Sequence, residues 1–189
     1  MEEPKQEFSP EARREILELA RAALEAAVNR EEPPAAEPGS EALNLERGIF
    51  VTLKNSGMLR GCLGRFSADV PLWKLVPEMT AASATQDPRF FNNPITPQEL
   101  LGISINISVL SPLREVSSPE EVRVGEHGIQ VTQGWHSGCY LPEVATDHDM
   151  SKEEFLSSCC RDKAGLPADA WKNPETKIMV FTTESFGDD

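Results

Sequence analysis

The chain lacks any uninterrupted apolar run that approaches the ~18 residues of a membrane span, so no transmembrane segment is expected. Its N-terminus opens with Glu2, Glu3 and Lys5 and has no apolar core of a signal peptide, which leads us to expect a cytoplasmic protein. Basic residues are also scarce, since 18 Lys and Arg stand against 31 Asp and Glu, for a formal net charge of -13. This acidity argues against broad binding to nucleic acids or anionic membranes, both of which need a basic surface.

Cysteine is rare as well, and its four positions show no CxxC spacing: Cys62, Cys139, Cys159 and Cys160. The adjacent pair Cys159 and Cys160 is poorly suited to chelating a metal, so we predict neither a structural zinc nor any other metal or cofactor. In a reducing cytosol all four are expected to be free thiols. We interpret Cys159 and Cys160, which lie on a predicted helix, as small buried apolar residues.

The remaining composition is that of an ordinary globular protein, with 39% hydrophobic and 26% charged residues among 189. A chain of this length buries roughly 70% of its unfolded surface and needs no staples to fold. We treat residues 1–189 as a single domain with a leading helix over about 10–29, a proline-rich tether over 31–40 and a core over 42–189.

Local patterns predict helices mixed with hairpins. Ser9-Pro10-Glu11 is typical of a helix start, and an apolar stripe at helical spacing follows it to Ala27. A strand over 48–54 and turn chemistry over 55–57 predict a hairpin that returns through 58–66. A further helix is expected over about 72–85, interrupted at Pro77, which either kinks the helix or marks its true start.

Later segments continue the mixture. Three capping boxes predict helix starts, at Thr96–Glu99, Ser118–Glu121 and Ser151–Glu154. The alternation over 103–109 indicates a half-buried strand, a second hairpin begins at 129–132, and a final strand over 177–183 is expected to lie centrally in a sheet. Because no regular β-α-β repeat occurs, the predicted class is α+β.

The most informative stretch is Leu59-Arg60-Gly61-Cys62-Leu63-Gly64. Glycine tolerates close approaches, so Gly61 and Gly64 are expected to leave the Cys62 sulfur open to a ligand or partner. On a regular strand residues 60 and 62 share a face, which makes Arg60 a better candidate than Arg65 for stabilising a Cys62 thiolate. The alternative is that Cys62 packs inward and the glycines only permit a bulge.

A catalytic base for such a thiol has to come from one of three histidines. His136 lies in the glycine-bounded stretch 134–138, where a side chain can face a cleft, but the same composition is typical of a hairpin turn, which we favour. We interpret His148, which lies between two aspartates, as part of a solvated acidic loop rather than as a metal ligand. His127 carries no signal beyond its residue type.

Arg89, in Asp87-Pro88-Arg89-Phe90, is a candidate ligand for phosphate or carboxylate. Its alternative roles are to cap the preceding helix or to pair with Asp87. Between residues 46 and 91 six basic residues stand against four acidic ones, so this region is the least acidic part of the chain. It can attract a small anionic ligand, although a charge run is more often simply a solvated face.

Four motifs occur in a fixed order along the chain: Leu-Arg-Gly-Cys-Leu-Gly at 59–64, Asp-Pro-Arg-Phe at 87–90, Leu-Pro-Glu-Val at 141–144, and Lys-Ala-Gly-Leu at 163–166 followed by Trp171. On these motifs the chain resembles the AMMECR-one domain family, from about Ala42 onward and in the leading helix. The resemblance implies an α+β fold of two intertwined subdomains, with an antiparallel or mixed sheet packed against helices and the cysteine motif near the junction. It implies no known reaction.

Prokaryotic members of that family look like the A protein of the AmmeMemoRadiSam system, so the implied partners are a Memo-like and a radical-SAM protein. The family has also been suggested to take part in RNA modification. Leu63 stands where the family usually has isoleucine, a volume-conserving change, and Glu143 stands where it commonly has glutamine.

Three functions therefore stay open. An enzyme would use Cys62, with Arg60 and Arg89 holding an anionic substrate. A binding module would present residues 60–64 to a partner protein or a small ligand without covalent chemistry. A specific RNA binder would need a basic patch that this acidic chain barely supplies.

Overall fold

The computed structural model describes residues 8–33, 39–66 and 68–188, and half of the tether predicted over 31–40, residues 34–38, lies outside them. The chain forms two compact units, one made of residues 1–110 and 184–189 and the other of residues 111–183. A four-stranded sheet belongs to each unit, together with helices. The predicted α+β class is confirmed.

The first unit carries the cysteine motif. Its main elements are α1 (Pro10–Asn29), β1 (Ile49–Asn55), β2 (Met58–Arg65), α2 (Leu72–Thr85), β3 (Ile103–Leu110) and β8 (Thr183–Gly187). The strand order β2-β1-β3-β8 places β2 at an edge, and β1 pairs antiparallel with both β2 and β3. Helix α1 packs against α2, which in turn packs against β1 and β2.

Helix α1 begins where the sequence predicts. The Ser9 hydroxyl accepts a hydrogen bond from the Ala12 N–H at 3.2 Å, which satisfies one of the free donors of the first turn. Ile16, Ala20 and Leu24 are completely buried, so the apolar stripe faces the core. The leading helix is therefore a structural element of the first unit.

Helix α2 contains Pro77 in its interior and nevertheless begins at Leu72. Leu72, Leu75 and Val76 are fully buried, and this packing holds the turn before the proline in place. The helix therefore starts one and a half turns before Pro77, and the proline does not mark its first residue.

The second unit contains the remaining elements: β4 (Arg114–Glu115), β5 (Gly128–Gln133), β6 (His136–Tyr140), α3 (Pro142–Asp147), α4 (Lys152–Ser158) and β7 (Lys177–Phe181). The strand order is β4-β7-β5-β6, so β7 has a neighbour on each side, as predicted for the last apolar strand. A π-helical segment, Cys159–Ala164, continues α4. Cys159 and Cys160 are fully buried in the core of this unit, which confirms their interpretation as apolar residues.

Among the described residues, none of the helices has both the length and the apolar character needed to cross a bilayer.

Candidate functional site

The candidate site is built on the edge strand β2. An edge strand has main-chain groups that no neighbouring strand satisfies. At Cys62 two side chains satisfy them instead. The Asp87 Oδ2 accepts the Cys62 N–H at 2.9 Å, and the Arg89 Nη2 donates to the Cys62 carbonyl at 3.3 Å. The turn after α2 therefore caps the strand edge at the cysteine.

Asp87 and Arg89 are joined by a two-pronged ion pair. The Arg89 Nε donates to Oδ1 at 2.9 Å and its Nη2 donates to Oδ2 at 2.6 Å. The Asp87 side chain is only 1% exposed, whereas that of Arg89 is 55% exposed. The Arg89 hydrogen bonds, aided by the Cys62 N–H, lower the pKa of Asp87 to about 2 despite its burial. Of the roles predicted for Arg89, the structure shows the pairing with Asp87.

The Asp-Pro-Arg-Phe motif has a local explanation. Asp87 caps a short 3-10 helix, Pro88–Phe90, by accepting the Arg89 main-chain N–H at 3.1 Å, and proline fits the first position of such a turn. The ring of Phe90 is in contact with two guanidinium groups, with centroid distances of 5.7 Å to Arg89 and 5.8 Å to Arg60. The turn is therefore held at its start by the Asp87 cap and at its end by the contacts of Phe90.

The thiol of Cys62 lies beside a hydroxyl. Cys62 pairs with Thr52 across β1 and β2, and the Sγ and Oγ1 atoms are 3.2 Å apart. The Cys62 main chain hydrogen-bonds outward to Asp87 and Arg89 rather than to β1, so Cys62 and Thr52 form a non-hydrogen-bonded cross-strand pair. In pairs of this kind the two side chains come closer together than in hydrogen-bonded pairs. The thiol is half-buried, so it is neither freely solvated nor part of the core.

Arg89 is the guanidinium next to this thiol. The pKa of Arg89 is raised, chiefly by its hydrogen bonds to Asp87, and Cys62 adds a smaller contribution through charge and hydrogen bonding. Within the described part of the chain, Nη1 of Arg89 makes no hydrogen bond. A cation is therefore held beside the sulfur with donor capacity to spare.

Arg60 has a different environment from the predicted one. A register shift between Leu53 and Lys54 pairs Leu53 with Gly61 and Lys54 with Leu59, so Arg60 is the extra residue of a β-bulge. Its guanidinium donates to Glu99 at 3.0 Å and 3.3 Å and to the Pro94 carbonyl at 3.2 Å, and its side chain is 9% exposed. Instead of facing the thiol, Arg60 fastens the segment 94–99 to β2.

The two glycines of the motif lie where a larger side chain would clash with neighbouring atoms. A Cβ on Gly61 would lie 1.9 Å from the main-chain oxygen of Ser83, so Gly61 allows the backbone of α2 to touch β2. The Ser83 hydroxyl also bridges the strands, since it accepts the Leu63 N–H at 3.0 Å and donates to the Val51 carbonyl at 2.9 Å. A Cβ on Gly64 would lie 2.4 Å from the ring of Phe50. Both glycines were predicted to open access to the sulfur, and the contacts found at them are with α2 and with Phe50.

The three histidines belong to the second unit. His136 begins β6 after a two-residue turn at Gly134 and Trp135, as favoured from the sequence, and its Nδ1 lies 3.1 Å from the Ala164 carbonyl in the second unit. His127 is buried, and its Nδ1 accepts the Arg123 N–H at 3.2 Å. His148 is exposed at the end of α3.

Two features of the site are absent from the sequence-based prediction. Thr52 had a usable signal, because the predicted hairpin with its turn at 55–57 places it near Cys62 on the facing strand. The contact between Asp87 and the Cys62 N–H had none, since 25 residues separate them and no local pattern records the pairing.

The fold and the site together define an α+β protein in which an edge-strand cysteine is held by a buried Asp and a half-exposed Arg. The AMMECR1 family model matches residues 17–186, and the chain belongs to the AMMECR1 family. The resemblance drawn from the four motifs is thereby confirmed.

Several relatives match over most of this chain. A protein of Methanothermobacter thermautotrophicus is 43% identical over 149 residues, which cover 76% of each chain. A protein of Aquifex aeolicus is 35% identical over 180 residues, which cover 92% of this chain and 91% of the relative. The crystal structure of the uncharacterized protein PH0010 from Pyrococcus horikoshii superposes with a TM-score of 0.79 at 33% identity, covering 92% of this chain and 90% of that one.

Proposed function

We propose that this protein is a cysteine-dependent enzyme, or a component of one, in which Cys62 is the nucleophile and Arg89 binds an anionic group of the substrate. The observation that carries the proposal is the half-exposed guanidinium held beside the thiol by a buried carboxylate. A fixed cation next to a cysteine favours the thiolate, which is the reactive form. The same cation has a donor free for a substrate anion.

Thr52 adds a second polar contact to the sulfur. With Oγ1 at 3.2 Å, its hydroxyl can donate a hydrogen bond to the thiolate or accept one from the thiol. Asp87 offsets part of the Arg89 charge, but its two oxygens are aimed at the Arg89 and Cys62 N–H groups and not at the sulfur. The net arrangement offers donors to a negative charge that develops at Cys62.

The other three cysteines are poor competitors for this role. Burial raises the pKa of Cys139 to about 11 and that of Cys159 to about 12. Burial also raises the pKa of Cys160. All three therefore remain thiols near neutral pH. The proposal gives His136 no part, because its ring contacts the Ala164 carbonyl in the second unit.

A second candidate is a non-catalytic binding module for partner proteins. It is favoured by the fact that Asp87 and Arg89 satisfy the strand edge, a structural role that requires no chemistry. The partners implied by family resemblance are a Memo-like and a radical-SAM protein, and four free thiols agree with a reducing, cytoplasmic setting. A role in RNA modification finds less support, because the net charge is -13.

The test compares two alkylating agents of different charge, iodoacetate and iodoacetamide, at each cysteine of the native protein, read by peptide mass spectrometry. The proposal predicts that Cys62 reacts first and that its iodoacetate-to-iodoacetamide rate ratio exceeds that of a free peptide thiol. Arg89→Gln lowers this ratio about tenfold. Lys74 lies on α2, which packs against the other face of the sheet. Lys74→Gln is therefore the matched control, and it leaves the rate ratio unchanged.

Equal ratios in the wild type and Arg89→Gln would remove the anion-binding role. Slow alkylation of Cys62 by both reagents would remove the nucleophile and leave the binding module.

A further inference from the structure

The face of the first sheet that carries Cys62 has side chains that the site described so far does not use. A Cβ on Gly61 would point at α2. Because successive residues of a strand point to opposite faces of the sheet, the Cys62 side chain lies on the face away from that helix. The strand registers place nine residues on this face, which we call the thiol face: Phe50, Thr52, Lys54, Leu59, Cys62, Gly64, Ser104, Asn106 and Ser108.

One row of the thiol face is polar. Cys62, Thr52 and Asn106 are direct partners across β2, β1 and β3. At the usual spacing of about 4.8 Å per strand, Asn106 lies roughly 10 Å from Cys62. The Asn106 side chain is half-buried and, among the described residues, has no hydrogen-bond partner. An amide of this kind is available to a ligand that reaches along the row.

The neighbouring row provides an aromatic surface. Gly64 and Phe50 are cross-strand partners, and the missing side chain at Gly64 allows the Phe50 ring to lie over the β2 backbone. Phe66 packs edge-on against that ring, with centroids 4.8 Å apart. Phe50 is half-exposed, so its ring is supported by Gly64 and Phe66 and keeps contact with solvent. Two residues along a strand span about 7 Å, which is the separation of this row from Cys62.

Positive charge flanks the thiol on two sides. Arg89 lies at the outer edge of β2, and Lys54 lies on the thiol face two residues beyond Thr52. Lys54 is exposed, and the described part of the chain offers it no ion pair. In a protein with a net charge of -13, two cations near one thiol make a local site for an anion.

We propose that the ligand of this site is a small anion that carries a planar aromatic group. Its anionic group binds between Arg89 and Lys54 beside Cys62, and its ring stacks on Phe50. An aryl phosphate, about 7 Å from its outer oxygens to the far edge of its ring, is long enough to reach from one row to the other. The proposal rests on the assignment of Arg89 as the anion-binding residue and names the substrate class of the same site.

The test measures how well three probes protect Cys62 of the full chain from iodoacetamide: phenyl phosphate, inorganic phosphate and phenol. We expect half-protection by phenyl phosphate at a concentration about tenfold lower than that of either other probe. Phe50→Leu reduces the advantage over inorganic phosphate to less than about threefold, while Phe50→Tyr, which keeps the ring, retains it. Lys54→Gln weakens both phosphates to a similar extent.

Equal protection by phenyl phosphate and inorganic phosphate would overturn the aromatic part of the proposal. Equal protection by phenyl phosphate and phenol would overturn the anionic part, and protection by none of the probes would overturn both. Each result leaves the charge dependence of alkylation at Cys62 as a separate measurement, so failure here is distinguishable from failure of the proposed function. The wild-type comparison decides the matter even if Phe50→Leu does not fold.

Discussion

The Asp87 carboxylate accepts the main-chain N–H of Cys62 at 2.9 Å and also holds the guanidinium of Arg89 through two hydrogen bonds. One buried acid thus fixes both the strand that carries the thiol and the cation beside it. This relationship explains why the two motifs, 25 residues apart, form one site. It also makes the site sensitive to the charge of a single residue.

Asp87→Asn is expected to lower the free energy of unfolding by about 2 kcal/mol at neutral pH, because the folded-state pKa of about 2 lies below the ordinary value of 3.8. A depressed carboxyl pKa stabilises the fold above pH ~4, and this stabilisation is lost as the pH falls from there through 2. Urea unfolding at pH 6 and at pH 2 measures both effects. The wild type and the variant should converge at the lower pH, and a constant difference would contradict the assignment.

Gly61→Ala is expected to destabilise the first unit by about 3 kcal/mol or more, because a Cβ 1.9 Å from the Ser83 main-chain oxygen forces α2 away from β2. Gly102→Ala is the matched control, since the nearest atom to its Cβ is the Asn55 side-chain oxygen at 3.1 Å, which can move. Thermal unfolding of the two variants separates them. Equal melting temperatures would show that the close contact at Gly61 is not tight in solution.

Arg60 and Glu99 are expected to be coupled in a double-mutant cycle. Either Arg60→Met or Glu99→Gln alone leaves a charged partner in a largely buried place, at a cost of about 2 kcal/mol, whereas the double variant costs less than the sum. Denaturant unfolding of the four proteins gives the coupling energy. Additive effects would mean that the pair contributes only packing.

Thr52→Val is expected to slow alkylation of Cys62 at neutral pH by about threefold, because it removes the hydroxyl 3.2 Å from the sulfur and keeps the β-branched shape. Thr85→Val, at an exposed position of α2, is the control for loss of a hydroxyl. The rates of the other cysteines serve as internal references. An unchanged Cys62 rate would assign the contact to packing alone.

The elements that sequence patterns predicted well are those fixed by neighbours in the chain. The Ser9 cap and the stripe through Leu24 define α1, and the Thr96–Glu99 capping box lies at the start of a 3-10 helix, Pro97–Gly102, where Glu99 accepts the Thr96 N–H at 2.9 Å. In each case the signal and its effect lie within a few residues of each other.

Contacts between distant segments account for what the sequence did not reveal. Arg60 was placed by strand alternation, but the bulge and the Glu99 carboxylate, 39 residues away, determine where its guanidinium lies. Strand β8 was missed because it has one buried apolar residue, Phe186, and is anchored by Glu184, which accepts the Phe8 N–H and pairs with Arg13. Such partners leave no periodic trace in the sequence.

The most direct test of a nucleophilic Cys62 is the pH dependence of iodoacetamide alkylation at each cysteine of the native protein, resolved by peptide mass spectrometry with Cys62→Ser as the control. The arrangement of Arg89 and Thr52 around the sulfur predicts that Cys62 of the native protein is alkylated ahead of the other three cysteines, while Cys139 and Cys159, with pKa values raised to about 11 and 12, stay unmodified near neutral pH. If Cys62 reacts only when the chain unfolds, it is not the nucleophile, and the site is a structural or docking feature.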